Sequence, residues 1–104
     1  MAAIVDGRDG KLVGPVVRGF DPELADAVIT AIEQDNPGRE VIVEDRGGYI
    51  RVSVAHECRL THASLVDALG RDFALSELEP SLSGFAGRMK LTEEEALWYL
   101  ERED

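Results

Sequence analysis

A single cysteine, Cys58, stands among the 104 residues, so no disulfide can form within the chain. An oxidising compartment would add nothing to its stability, and a cytoplasmic protein is expected. Histidine is nearly as scarce, with only His56 and His62. Three residues before these lie Ser53 and Arg59, so neither can open the Glu-x-x-His pair of a self-contained di-iron site. No second Cys pair and no H-x-x-x-H follows, and a metal site built from this chain alone is not expected. Long apolar runs are missing too. Met1 to Leu12 holds Gly7, Gly10 and charges of both signs, and no stretch reaches the length of a membrane span or a signal sequence.

Basic clusters are also lacking. Nine of the eleven basic residues are arginines set singly along the chain, against 21 carboxylates, for a net charge of −10. Nucleic acid and anionic membranes repel such a surface. Neither G-x-G-x-x-G nor a phosphate-loop motif occurs, so the Gly47-Gly48 and Gly84-x-x-Gly87 pairs are not nucleotide loops.

With 44% hydrophobic and 31% charged residues, the chain is expected to form one folded α+β domain. Residues 1–11 have no apolar periodicity and are expected to be a flexible N-terminal arm; residues 12–104 form the domain. Val13 to Arg18 reads as a strand, which Pro15 places at a sheet edge or at a strand start. Asp21-Pro22-Glu23 opens a helix with an N-cap, an N1 proline and an acidic first turn. Leu24, Val28 and Ile32 give it a buried stripe, and Asp35-Asn36-Pro37-Gly38 ends it near Gln34. Glu40–Glu44 and Tyr49–Val54 form a hairpin through Gly47-Gly48, with Arg51 and Ser53 turned to water.

Thr61 caps a second helix that Gly70 ends. A helical turn around Ser76 and a change of direction at Pro80 follow. Ser83 to Met89 reads as one strand with a close backbone approach. Thr92-Glu93-Glu94-Glu95 forms a capping box for a last helix that buries Leu97, Trp98 and Leu100. The order is β-α-β-β-α-β-α, with antiparallel strands packed on about three helices.

The chemistry available is thin. Cys58 with His56 or His62 lacks the depressed pKa, oriented base and oxyanion hole that a nucleophile needs, and reads as a small apolar filler at a strand end. The histidines fall in the loop before the second helix. Ser83 to Gly87 is either a bulge or a backbone left bare for another molecule. On the residues alone the domain is a binder, and a small Cys/His-dependent enzyme or an acidic adaptor are the alternatives.

Five segments share an order and spacing with a known family: Val13 to Arg18, Asp35 to Glu40, Val43 to Tyr49, Leu69 to Phe73 and Ser83 to Arg88. Together they resemble the effector, or coupling, proteins of soluble bacterial di-iron multicomponent monooxygenases, most closely the toluene-monooxygenase branch and more distantly the methane monooxygenase regulatory protein. The resemblance implies a cofactorless protein that docks on a hydroxylase carrying the di-iron centre and alters its active site, oxygen reactivity and coupling. Electrons would come from an NADH-dependent reductase, with a Rieske ferredoxin in the toluene-type systems. The substrate would be an aromatic or alkene hydrocarbon. The docking surface it implies is Ser83, Gly84, Phe85, Ala86 and Gly87 with Asn36; Arg46 and Tyr49 at the hairpin either join it or hold the fold.

Overall fold

Local signals at Asp21 to Glu23 produce the expected helix. The computed structural model describes residues 11–19 and 21–100, and the proposed arm, except for Lys11, lies outside them. Helix α1 runs Pro22–Asp35. The Asp21 carboxylate accepts from the Leu24 N–H at 3.2 Å, and Leu24, Ala25, Ala27, Val28, Ala31 and Ile32 are buried. Helix α2 runs His62–Leu69, capped by Thr61 and closed by Gly70 at φ +77. A 3-10 turn at Leu75–Glu77 supplies the helical turn expected around Ser76, and a second, holding Pro80, spans Glu79–Ser81.

Among the described residues the strands are β1 (Leu12–Arg18), β2 (Ile42–Asp45), β3 (Tyr49–Ala55), β4 (Glu57–Thr61), β5 (Leu82–Ala86), β6 (Arg88–Leu91) and β7 (Glu95–Tyr99). They make a four-stranded sheet in the order β2-β3-β1-β5 and a three-stranded sheet in the order β4-β7-β6, with antiparallel pairing throughout. The α+β class and the antiparallel pairing expected from the sequence are those observed. The core joins Val13, Val17, Val52 and Val54 of the larger sheet to Cys58, Leu60, Ala96 and Trp98 of the smaller. Leu24, Val28 and Ile32 of α1 and Leu65 of α2 belong to the same cluster.

The two sheets are continuous ribbons bent at single residues. β3 passes into β4 through His56, at φ 72, and β5 passes into β6 through Gly87, at φ 90. Before the bends both ribbons flank β1, with Leu12 opposite Ala55 and Gly14 opposite Ala86. Beyond them both flank β7, with Tyr99 opposite Glu57 and Arg88. A positive φ turns a strand's direction within one residue, which a continuous β conformation cannot do.

Several expectations are corrected here. The last segment is strand β7, not a helix. The Thr92 hydroxyl oxygen accepts from the N–H of Glu94 and Glu95, and the Thr92 N–H donates to the Glu95 carbonyl at 2.9 Å, closing a β6–β7 hairpin. The same Thr-x-x-Glu spacing thus serves a turn, because the residues beyond it pair as a strand. Ser83 to Met89 is two strands in different sheets, broken at Gly87. Pro15 sits inside the central strand β1, where the ladder to β3 omits Gly14 and Pro15 while Pro15 pairs with Phe85. Ser53 is buried, at 2% exposure, because Gly14 packs against the Val52–Ser53 backbone. Strand β4 falls where the sequence reading placed a loop, and His62 stands in the first turn of α2.

Candidate functional site

Strand β5 carries five consecutive residues of the chain onto the outer edge of the larger sheet, as ordered among the described residues. Leu82 anchors it in the core, opposite Val17. The register shifts between Val16 and Val17, so Ser83 occupies a bulge and its hydroxyl reaches the Val16 carbonyl at 3.5 Å. Gly84 then pairs with Val16, and a Cβ built on Gly84 meets nothing within 4 Å. Phe85 is 45% exposed, a large apolar ring kept in water.

Gly84 and Gly87 do different work. At Gly87 a Cβ would come within 2.6 Å of the Val13 side chain and 2.8 Å of the Tyr99 carbonyl, at φ +90. Its missing side chain is required by the fold. Gly84 meets no such neighbour, so a side chain there alters only the outer surface.

Cross-strand pairing fixes which residues share a face. Gly84, Val16, Arg51 and Glu44 form one row across the sheet, and alternation along β3 puts Tyr49 on the same face. Arg51 Nε lies 3.6 Å from one Glu44 carboxylate oxygen, and an Arg46 guanidinium nitrogen lies 3.4 Å from the other. Arg46 and Tyr49 therefore reach the Gly84 face through Glu44 and Arg51, two residues the sequence reading did not assign to the docking surface. Their alternation with Ile50, Val52 and Val43 was the available signal. Phe85, by register, belongs with Pro15, Val52 and Val43 on the opposite face.

Asn36 stands apart. It is 5% exposed, and its amide nitrogen donates to the carbonyls of Ile32 at 2.7 Å and Arg59 at 2.9 Å while its oxygen accepts from the Arg59 N–H at 3.1 Å. Beside it, the Asp35 carboxylate accepts from Thr61 N–H, Thr61 Oγ1 and Ser64 Oγ at 2.7, 3.0 and 2.6 Å. These two residues fasten the end of α1 to β4 and to the start of α2, and the structure does not bring Asn36 to the β5 surface.

Cys58 is fully buried in β4, opposite Trp98. Burial pushes its thiol up to about 12; Arg39 lowers it and Asp35 raises it by smaller amounts. A thiol so protonated is a poor nucleophile at neutral pH. His62 lies in a shallow depression of about 870 Å³ with Thr92, Glu93 and Glu94. Among the described residues no three His, Cys, Asp or Glu side chains gather as a metal site, and no helix is long and apolar enough to cross a membrane.

Comparison with known proteins places this arrangement in a class. The model of the MmoB/DmpM family matches residues 11–99, and the chain belongs to that family. It is 52% identical over 97 residues to the effector subunit of the alkene monooxygenase system of Xanthobacter autotrophicus, covering 93% of this chain and 94% of that protein. Two chains from structures of the phenol hydroxylase–regulatory protein complex share the fold. One has a TM-score of 0.70 at 20% identity, covering 88% of this chain and 100% of that one. The other has a TM-score of 0.63 at 23% identity, covering 86% of this chain and 99% of that one. The protein is an effector component of a multicomponent monooxygenase, regulatory and non-catalytic.

Proposed function

We propose that this protein binds the di-iron hydroxylase of a bacterial monooxygenase that oxidises an alkene, and that the outer surface of β5 is where it docks. The reading is carried by 52% identity, over almost the full length of both proteins, to an effector of an alkene monooxygenase system. That likeness favours an alkene over toluene or another aromatic as the substrate class. The hydroxylase holds the iron and the reacting hydrocarbon; an NADH-dependent reductase and a Rieske ferredoxin supply electrons, and the assembly works in the cytoplasm.

Ser83, Gly84, Phe85 and Ala86 form the contact in this reading, with Gly84 leaving the strand bare enough for another backbone to approach. Tyr49 and Arg46 extend the contact across the Gly84 face. Gly87 supports its shape from within, and Asn36, turned to Ile32 and Arg59, lies outside it. An effector of this kind acts by binding one hydroxylase conformation better than another, so its influence is a coupling free energy between interface and active site. A coupling of about 1 to 3 kcal/mol shifts populations by about 5 to 150-fold.

The test is a titration of the protein into reconstituted hydroxylase, ferredoxin and reductase, following epoxide formation and NADH consumption together. A saturating rise near one effector per active site, with more product per NADH, supports the reading. A flat titration with the cognate hydroxylase sinks it.

A further inference from the structure

The smaller sheet turns Cys58, Leu60, Ala96 and Trp98 to the core and presents its other face to solvent. Two rows cross that outer face: Glu57–Tyr99–Arg88 and Arg59–Leu97–Lys90. Arg59, Arg88 and Lys90 are exposed around the half-buried Leu97 and Tyr99. Arg39 closes the near edge, where its guanidinium donates to the Ala55 carbonyl. A depression of about 550 Å³ lies between Arg39, His56, Glu57, Lys90, Leu97 and Tyr99. Four of the eleven basic residues of the chain thus meet on one face, against the carboxylates of Glu57 and of Glu95, the latter 3.5 Å from Arg59. In a molecule of net charge −10, cations outnumber carboxylates among the described residues of this face.

We infer that this face receives a carboxylate-bearing segment of the hydroxylase, continuing the β5 contact around the bend at Gly87. The inference rests on the hydroxylase reading above and adds a second, electrostatic half to the footprint. Continuity supports it: Ala86 ends β5, Arg88 begins β6, and the single residue between them lies against the Tyr99 backbone. The charge supports it as well. A face that gathers basic side chains on an otherwise acidic protein meets an acidic patch in only one orientation, and complementarity of this kind sets register and encounter rate. The floor of Leu97 and Tyr99 suits the side chains of a polypeptide, since apolar centres with charged rims are the common build of protein interfaces. A small free anion would need donors converging on one point, and here the cations are spread over two strands and a loop.

The experiment compares the wild type with Lys90→Glu and Arg71→Glu in the reconstituted hydroxylase assay. Both variants carry the same net charge, but Arg71 lies elsewhere, 4.0 Å from Glu23 of α1. Thermal melts confirm that both fold. The half-saturating effector concentration is expected to rise roughly tenfold for Lys90→Glu and less than about twofold for Arg71→Glu, because a like charge is placed against the partner only in the first. The gap between Lys90→Glu and the wild type should narrow as salt is raised. Equal titrations for the two variants overturn the inference. A wild-type dimer in sedimentation that Lys90→Glu disrupts gives the face to a second copy of the chain, which also overturns it. If the wild type itself does not stimulate the hydroxylase, it is the hydroxylase reading that falls, and this assignment of partner with it.

Discussion

Gly84 and Gly87, three positions apart, make opposite demands on a side chain. Gly84→Val adds a β-branched residue to an exposed strand with open space around it, and stability should stay within about 0.5 kcal/mol of the wild type. Stimulation of the hydroxylase should nevertheless be lost in the titration, since the added bulk stands where a partner backbone is to approach. Gly87→Ala strains a φ of +90 and pushes against the Tyr99 carbonyl, so a denaturant melt should show a loss of about 2 kcal/mol or more. Loss of circular dichroism in Gly84→Val would make that position structural instead. Cys58 offers a second test. Its thiol is held near 12 in the fold against 9.0 for the free group. The unfolded chain therefore releases a proton that the folded one keeps, and stability is intact below pH 9.0 and falls as pH rises towards 12. Over that interval the loss attributable to Cys58 is of order 4 kcal/mol. Cys58→Ala should show a shallower alkaline decline in pH-dependent melts while keeping full stimulation of the hydroxylase.

At the scale of elements, most of the fold was legible where a local signal had one meaning. Asp21-Pro22-Glu23 could only begin a helix, and Gly47-Gly48 between β-branched runs could only turn a hairpin. Misreading came where a signal had two meanings. Thr92-x-x-Glu95 fits both a helix cap and a hydroxyl-closed turn, and the choice was made by pairing with residues more than thirty positions away in β4, such as Leu60 opposite Ala96. Strand β4 was readable from the alternation Glu57, Cys58, Arg59, Leu60, but its brevity and the nearby Thr61 cap made it read as the loop before the next helix. The site was legible in part. The segment Ser83 to Ala86 does lie on an outer strand, whereas the inward turn of Asn36 depends on Arg59, 23 residues away, and no local pattern announces it. The neighbouring Asp35 gives the junction its own test. Asp35→Ala leaves the Thr61 and Ser64 donors without their carboxylate, and a melt should record a loss of about 2 kcal/mol.

Across the whole molecule, a surplus of ten negative charges on 104 residues opposes the compact state by self-repulsion. Screening should relieve it, so the melting temperature of the isolated protein is expected to rise between low ionic strength and about 0.5 M sodium chloride, where the Debye length falls to a few ångströms. An unchanged or lower melting temperature would mean that ion pairs such as Arg59–Glu95 outweigh the repulsion. The same two residues, His56 and Gly87, carry the chain from one sheet to the other. They flank β1 and β7 from opposite sides, the His56 N–H bonded to the Lys11 carbonyl and Gly87 set against Val13 and Tyr99. Both crossings thus bracket the same pair of strands, so the two sheets are riveted at two points instead of one, and neither has a lone hinge about which to swing.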